Sequence, residues 1–250
     1  MNIAVTGANG FIGRSLCDRL SKENNIMRLK IRKNTDFVNL KEKVVSFNPD
    51  VFIHCGWSGG NSFSTIDSSE QFNNIYTGLE ILKMISDINN LHFVALGSFS
   101  EYGDLKQQAT EQTLEKPSSL YGVCKNIYRQ ISKTMCGYNN HKWLWIRPCF
   151  LYGPNDVQTR LIPKTIDACL SQDRLSLDSC KSIVDYLYID DFVEAVCSLL
   201  EQQSVGCFNI CSGEEYTVKD IVLQILQETG EESVFFDPSK DREGFQKYIC

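Results

Sequence analysis

The sequence predicts an α/β fold in which a doubly wound parallel sheet carries a smaller C-terminal lobe. Two observations support this. Short apolar segments alternate with amphipathic ones through the first half of the chain, and a glycine-rich turn follows the first apolar segment. Repeated strand–helix units place parallel strands in one sheet that helices cover on both faces. The weaker periodicity after Pro148 indicates a second, smaller unit.

The elements of the first half follow from their apolar periods and their breakers. Apolar residues of the segment Phe72–Asn89 recur at the spacing of an amphipathic helix. Pro117 precedes the helical pattern Ser119–Met135, as prolines often do at helix starts. The predicted strands are Asn2–Thr6, Ile26–Arg32, Val51–Cys55, His92–Leu96 and Trp143–Arg147, and the predicted helices are Phe11–Leu20, Lys41–Phe47, Phe72–Asn89 and Ser119–Met135.

The second half contains fewer regular elements. Asp190 and Asp191 can cap a helix that runs to Glu201, and Thr217 can cap a helix over Val218–Glu228. Leu161–Leu170 is a further helical pattern, and Gly206–Ile210 is a strand pattern. We therefore predict a sheet domain over residues 1–150, to which one or more later segments can return, and a smaller lobe that occupies most of residues 151–250.

Composition and charge exclude several classes of function. The net charge of −6 argues against a nucleic-acid partner, because such a surface needs a basic stripe. No apolar stretch approaches the length of a membrane span and the chain opens on a strand, so we expect a cytoplasmic protein with no membrane partner. The 11 cysteines and 3 histidines show no metal-ligand spacing, so we expect buried thiols and no metal.

The glycine-rich turn is a candidate phosphate-binding site. It links the first strand to the first helix and has the spacing Gly-x-x-Gly-x-x-Gly. Glycines let the backbone approach a pyrophosphate closely, and the N–H groups and dipole of the helix N-terminus attract the phosphates. We therefore predict that a dinucleotide binds to Gly7, Asn9, Gly10, Phe11, Ile12 and Gly13.

The end of the second strand indicates which dinucleotide binds. A carboxylate there would hydrogen-bond the ribose 2′-hydroxyl of NAD and repel the 2′-phosphate of NADP. This chain has Arg32 and Lys33 instead, and the first acid after them is Asp36. The two cations favour NADP(H) over NAD(H), although any strand end can carry solvated cations.

One tyrosine is a candidate proton donor. The pattern Tyr-x-x-x-Lys on a helix puts both side chains on one face, where the cation can lower the phenol pKa. The pattern starts at Tyr102, Tyr121 and Tyr138, but only Tyr121, with Lys125, lies in the first turn of a long helix. The strand before that helix ends at Ser98, at the sheet edge where ligands bind. We predict that Ser98, Tyr121 and Lys125 are catalytic.

Ordered motifs along the whole chain resemble those of the extended short-chain dehydrogenases. This family has a Rossmann-type sheet and comprises nucleotide-sugar epimerases, dehydratases and ketoreductases. The resemblance implies that Tyr121 acts as acid and base, that Lys125 lowers its pKa and holds the nicotinamide ribose, and that Ser98 orients the carbonyl. It also implies that Pro148 lies near the nicotinamide carboxamide and that the protein is a homodimer. The matching segments are Thr6–Gly13, Gly97–Gly103, Tyr121–Lys125, Arg147–Pro154, Tyr186–Asp191 and Ser212–Val218.

Departures from the family pattern favour a reductase. Family dehydratases carry Asp-Glu directly after the catalytic serine or threonine, where this chain has Phe99 and Ser100. Family epimerases retain NAD and usually have an acid where this chain has Arg32. We expect NADPH-dependent reduction of a 4-keto group on a nucleotide-linked deoxysugar. The alternatives are a NAD-dependent nucleotide-sugar 4-epimerase and a non-catalytic NADP-sensing or scaffold protein.

The substrate contacts follow from the same motifs. We expect them at Ser98, Phe99, Ser100 and Tyr121. The family's arginine before the Tyr-x-x-x-Asp stretch is missing here, so another cation must hold the substrate diphosphate. The candidates for this contact include Arg160 and Arg242.

Overall fold

The computed structural model describes residues 1–32, 34–59, 68–105, 107–231, 233–241 and 247–248. In chain order the strands are β1 (Asn2–Thr6), β2 (Asn25–Leu29), β3 (Val51–His54), β4 (His92–Leu96), β5 (Lys142–Pro148), β6 (Phe150–Tyr152), β7 (Leu175–Leu177), β8 (Ile183–Val184), β9 (Tyr186–Tyr188), β10 (Gly206–Ile210), β11 (Tyr216–Thr217), β12 (Val234–Phe236) and β13 (Lys247–Tyr248). The α-helices are α1 (Phe11–Leu20), α2 (Phe37–Phe47), α3 (Glu70–Ile85), α4 (Leu120–Tyr138), α5 (Leu161–Ser171), α6 (Ile189–Glu201) and α7 (Val218–Thr229). Short 3₁₀ helices cover Phe99–Glu101 and Pro238–Lys240.

A six-stranded parallel sheet organises the chain, which confirms the predicted doubly wound fold. Its spatial order is β10-β5-β4-β3-β1-β2. Val5 of β1 pairs with Arg28 of β2 on one side and with Ile53 of β3 on the other. The chain runs outward from β1 to β2 and then returns past β1 to β3. The sheet therefore has a switch point at the carboxyl ends of β1 and β3, where open α/β sheets bind their ligands.

Helices cover both faces of the sheet and enclose two apolar cores. The core under α1 and α6 includes Leu16, Ile53 and Phe192. The core under α2, α3 and α4 includes Phe52 and Ile81. Phe52 and Ile53 enter opposite cores because successive side chains of a strand alternate between the faces. This burial on both faces explains why the central strands β3 and β4 are buried throughout and mostly apolar.

Segments from the second half of the chain return to the sheet. β10 extends the sheet beside β5, and α6 packs on the same face as α1. The remaining segments build a separate small core between α5, α7, β7 and β12, formed by Ala168, Leu175, Val222 and Val234. The domain boundary at residue 150 remains a prediction.

The connection after β2 differs from the sequence prediction. β2 ends at Leu29 and not at Arg32, because its pairing with β1 stops where Thr6 faces Leu29. α2 then begins at Phe37 and not at Lys41. Asp36 is the N-cap residue of this helix, and its carboxylate accepts hydrogen bonds from the backbone N–H groups of Val38 and Asn39.

Membrane and metal sites were searched for over the same part of the chain. Among the residues that the structure describes, no helix is both long and apolar enough to cross a membrane. Within those residues, no group of three or more His, Cys, Asp and Glu side chains is arranged to hold a metal ion. Most of the free cysteines described there are buried, including Cys17, Cys136 and Cys197.

The close approach of α3 and α4 gives a test of the packing. A Cβ on Gly78 would overlap the ring of Tyr128, whose side chain is buried. We expect Gly78→Ala to lower the free energy of unfolding by about 1–3 kcal/mol, measured by urea denaturation. In the control Gly137→Ala the added Cβ meets no atom within 4 Å, so stability should stay the same or rise by about 0.5–1 kcal/mol. An equal loss in both variants would contradict this packing.

Candidate active site

The glycine turn lies at the switch point of the sheet. Gly7 has a φ of +68°, and a Cβ there would lie 2.6 Å from the amide nitrogen of Gly56, which follows β3. A Cβ on Gly13 would overlap the carbonyl oxygen of Gly7, so α1 starts in direct contact with the turn. Gly10 caps α1 without a side-chain hydrogen bond, and the first turn of the helix holds no acid. Backbone N–H groups at a helix start of this kind fit a dinucleotide pyrophosphate.

Ser98, Tyr121 and Lys125 come together beside this turn. Ser98 follows β4, and its Oγ accepts a hydrogen bond of 3.1 Å from the N–H of Ser100. Its hydroxyl is hydrogen-bonded to the phenol of Tyr121 in the first turn of α4. Lys125 lies one turn further on, with Nζ 5.8 Å from the centre of the Tyr121 ring. The structure thus brings the three predicted catalytic side chains into one cluster.

Burial controls the protonation of the tyrosine and the lysine. It raises the pKa of Tyr121 to about 12, although the hydrogen bond from Ser98 lowers it. It lowers the pKa of Lys125 to about 7, against the charge of Glu101, which raises it. Tyr121 is therefore protonated at neutral pH, as a proton donor must be. The lowering of its pKa by Lys125 remains a prediction.

The other two Tyr-x-x-x-Lys patterns have no place in this cluster. Tyr102 is buried, and its hydroxyl donates to Oδ1 of Asn209 over 2.8 Å. Tyr138 is the last residue of α4, and 84% of its surface is exposed. Of the three patterns, the one that starts at Tyr121 is thus the one that lies beside Ser98, and its catalytic role remains a prediction.

The residues predicted to contact the cofactor beyond the turn lie at the same edge of the sheet. Arg32 is exposed after β2 and lines a shallow depression together with Lys30, Asn34 and Thr35. Pro148 is the last residue of β5. Lys33 lies outside the described residues.

The two predicted substrate residues that follow Ser98 differ in their burial. Ser100 is half-buried and directly follows the turn that holds Ser98. Phe99 is 3% exposed and packs edge-to-face on Tyr102, with 5.5 Å between the ring centres. Its side chain is part of the apolar core, which the sequence prediction of a substrate contact did not anticipate.

The predicted diphosphate contacts lie in the second half of the chain. Arg160 is the N-cap residue of α5 and forms an ion pair of 3.3 Å with Asp156. Its positive charge also lowers the pKa of Tyr121. Arg242 lies outside the described residues.

Sequence reasoning missed a buried ion pair beneath the serine. The carboxylate of Glu101 accepts hydrogen bonds from the N–H of Ser98 over 2.8 Å and from Nε of Arg147 over 2.9 Å. Arg147 also donates to the carboxylate of Glu115 over 2.6 Å. Glu101 and Arg147 are both completely buried. Each of the two residues lies in one of the sequence motifs. Their pairing depends on β4 and β5 lying side by side in the sheet, which the motifs do not reveal.

Fold and site together define a class of protein. It has a parallel sheet, a phosphate-binding turn at the switch point, and a serine, a tyrosine and a lysine beside that turn. The model of the NAD dependent epimerase/dehydratase family matches residues 3–211. The chain belongs to this family, which binds a nicotinamide cofactor.

Similar proteins match over nearly the full chain. The dTDP-6-deoxy-L-talose 4-dehydrogenase (NAD(+)) of Aggregatibacter actinomycetemcomitans is 24% identical over 247 residues, which cover 91% of this chain and 90% of that protein. The CDP-abequose synthase of Yersinia pseudotuberculosis is 24% identical over 245 residues, which cover 90% of this chain and 83% of that protein. The UDP-glucose 4-epimerase of Thermus thermophilus, solved as a complex with NAD, has a TM-score of 0.88 at 20% identity, and the match covers 100% of this chain and 90% of that chain. This structural likeness confirms the fold.

The buried ion pair can be tested by removing its cation. Arg147→Met should lower the free energy of unfolding by about 3–5 kcal/mol, because the buried carboxylate of Glu101 then keeps only its longer ion pair of 3.6 Å with Arg129. The control Arg19→Met removes the solvent-exposed ion pair with Glu194 and should cost far less, since water screens exposed charges. Urea denaturation of both variants measures the difference. Similar losses of stability in both variants would show that the buried ion pair contributes no more than the exposed one.

Proposed function

We propose that this protein reduces a 4-keto group on a nucleotide-linked deoxysugar with NADPH. The hydrogen-bonded pair Ser98 and Tyr121, one helical turn from Lys125, carries the proposal. The similar protein from Aggregatibacter is named as a 4-dehydrogenase of a nucleotide deoxysugar. A 4-dehydrogenase and a 4-ketoreductase catalyse one reaction in opposite directions.

The side chains of the cluster have distinct roles in this reaction. NADPH, when bound, supplies the hydride that C4 of the sugar receives. The hydroxyl of Ser98 and the phenol of Tyr121 are placed to hold the carbonyl oxygen between them. Tyr121 donates its proton to that oxygen as the C–H bond forms, and the charge of Lys125 stabilises the phenolate that remains. The ketone, NADPH and one proton thus become the alcohol and NADP⁺.

The arrangement around Ser98 argues against a dehydratase. Elimination of water needs an acid and a base next to the catalytic serine, and the next two residues, Phe99 and Ser100, supply neither. The nearest acid, Glu101, is completely buried and paired with Arg147. Its side chain therefore has no access to the sugar.

The preference for NADPH rests on the end of β2. The depression that contains Lys30 and Arg32 is cationic, as a 2′-phosphate requires. Asp36, the first acid after the strand, accepts hydrogen bonds from the N–H groups of Val38 and Asn39. Because it caps α2, its carboxylate is directed to that helix and not to a ribose hydroxyl. Arg160 is the proposed contact to the substrate diphosphate, and the homodimer remains a prediction.

The cofactor preference can be tested at Arg32. Arg32→Ser removes a charged hydrogen-bond donor to the 2′-phosphate, so affinity for NADPH should fall about tenfold while affinity for NADH stays the same. Isothermal titration calorimetry with both cofactors measures the change. The control Lys22→Ser removes an exposed cation after α1 and should change neither affinity. Equal affinity of wild type and Arg32→Ser for NADPH would remove the support for NADP.

The reaction can be tested with a panel of nucleotide 4-keto-6-deoxysugars. Purified protein should oxidise NADPH, followed by loss of its absorbance, with at least one of these substrates. Tyr121→Phe keeps the ring but removes the acid, so the rate should fall by about 10²–10⁴-fold while the cofactor still binds.

Two alternatives give different results in the same assay. A 4-epimerase would retain NAD through purification and oxidise no added NADPH. A sensor or scaffold would bind NADPH without turnover, and Tyr121→Phe would change nothing. Either outcome would overturn the reductase proposal.

A further inference from the structure

The loop after β3 places a tryptophan against the catalytic helix. Trp57 lies three residues beyond the end of β3 at His54, and its side chain is half-buried. The centre of its ring lies 4.0 Å from Nζ of Lys125. The ring also meets Tyr121 edge-to-face, with 6.4 Å between the two ring centres. Trp57 therefore contacts two of the three residues to which the proposed function assigns the chemistry.

Helix α3 fixes this ring in place. The indole N–H of Trp57 donates to Oε1 of Gln71 over 2.8 Å, and Gln71 is completely buried. The next residue, Ser58, is held through its backbone: Oδ1 of Asn74 accepts from its N–H over 3.0 Å, and Nδ2 of Asn74 donates to its carbonyl over 2.8 Å. The ring is thus anchored at its polar edge while its face is turned to Lys125.

The environment of Lys125 disfavours its charged form, so the contact with the Trp57 ring matters for that charge. The lysine is 4% exposed, and burial lowers its pKa to about 7. The neighbouring Cys55 and His54 are neutral, because burial raises the pKa of the Cys55 thiol to about 12 and lowers the pKa of His54 to about 3. Tyr121 on the same helix is a neutral phenol.

The carboxylate on the remaining side belongs to Glu101, and its charge raises the pKa of Lys125. Glu101 acts on Lys125 from the 3₁₀ helix, but its oxygens are paired with Arg147. The indole face, which carries the negative side of the ring quadrupole, is thus a further favourable contact for the ammonium.

We propose that Trp57 is a positioning residue that holds the ammonium of Lys125 charged and beside Tyr121. The carbonyl of Leu96, which accepts a hydrogen bond of 2.7 Å from Nζ, secures the ammonium as well. The importance of this position for catalysis rests on the proposed function. A cation–π contact favours the charged amine over the neutral one, so Trp57 extends the charged state of Lys125 to higher pH.

Two substitutions distinguish the role of the aromatic face of Trp57 from the role of its N–H group. Trp57→Leu removes the aromatic face, and Trp57→Phe keeps a face but loses the N–H. NADPH affinity should fall in the wild type as Lys125 loses its proton. In Trp57→Leu this fall should occur at a pH lower by on the order of one unit, and in Trp57→Phe close to the wild-type pH. Calorimetric titrations across the neutral and alkaline range measure these midpoints.

The double variant with Lys125→Met tests whether the effect passes through the lysine. In that background Trp57→Leu should shift no midpoint. A shift that persists there, or an unshifted midpoint in Trp57→Leu alone, would overturn the proposal. Thermal unfolding of each variant shows whether its fold is intact.

A second measurement needs neither cofactor nor turnover. Competitive labelling with acetic anhydride, followed by peptide mass spectrometry, gives the pKa of Lys125 directly. This pKa should fall in Trp57→Leu and return in Trp57→Phe. If no ketosugar is reduced but the pKa falls, the proposed reaction fails and the role of Trp57 stands. If NADPH is oxidised but the pKa is unchanged, only the role of Trp57 fails.

Discussion

The buried ion pair between Glu101 and Arg147 is the constraint on which the site depends. Removing two charges from water is unfavourable unless hydrogen bonds satisfy both groups. Here the carboxylate accepts from Arg147, from the indole N–H of Trp145 and from the backbone N–H of Ser98. Because the backbone of Ser98 is one of these donors, moving the serine would leave a buried charge incompletely satisfied. Its position is thus set by electrostatics as well as by packing.

The same network ties α4, the helix that carries Tyr121, to the serine. Arg147 donates to Glu115, and Glu115 pairs over 2.9 Å with Arg129, which lies on α4 two turns beyond Tyr121. Hydrogen bonds and ion pairs therefore connect the turn at Ser98, strand β5 and helix α4. A hydrogen bond between Ser98 and the tyrosine needs both elements to hold their places, and this network connects them below the site.

Sequence patterns predicted the part of this arrangement that depends on local chemistry. The alternation of strands and helices gave the sheet, the glycines gave the turn at the switch point, and the position in a first turn identified Tyr121. The predicted bounds of β2 and α2 were wrong where another interaction determines the end of a strand or the start of a helix. Asp36 started α2 early because it could cap a helix, and β2 ended early at Leu29, where its pairing with β1 stops. Phe99 was assigned to the substrate because its motif position was known but the direction of its side chain was not.

The interactions that set the electrostatics of the site could not be predicted in the same way, since they join residues far apart in sequence. Glu101 and Arg147 are 46 residues apart, and Trp57 meets Lys125 only because the end of β3 and the start of α4 lie at the same edge of the sheet. Their combined effect follows from the folded structure. Arg147 pairs with Glu101, the acid whose charge raises the pKa of Tyr121, and Lys125 is not part of that ion pair. A cation beside the phenol is what a tyrosine needs when it gives its proton to a developing alkoxide.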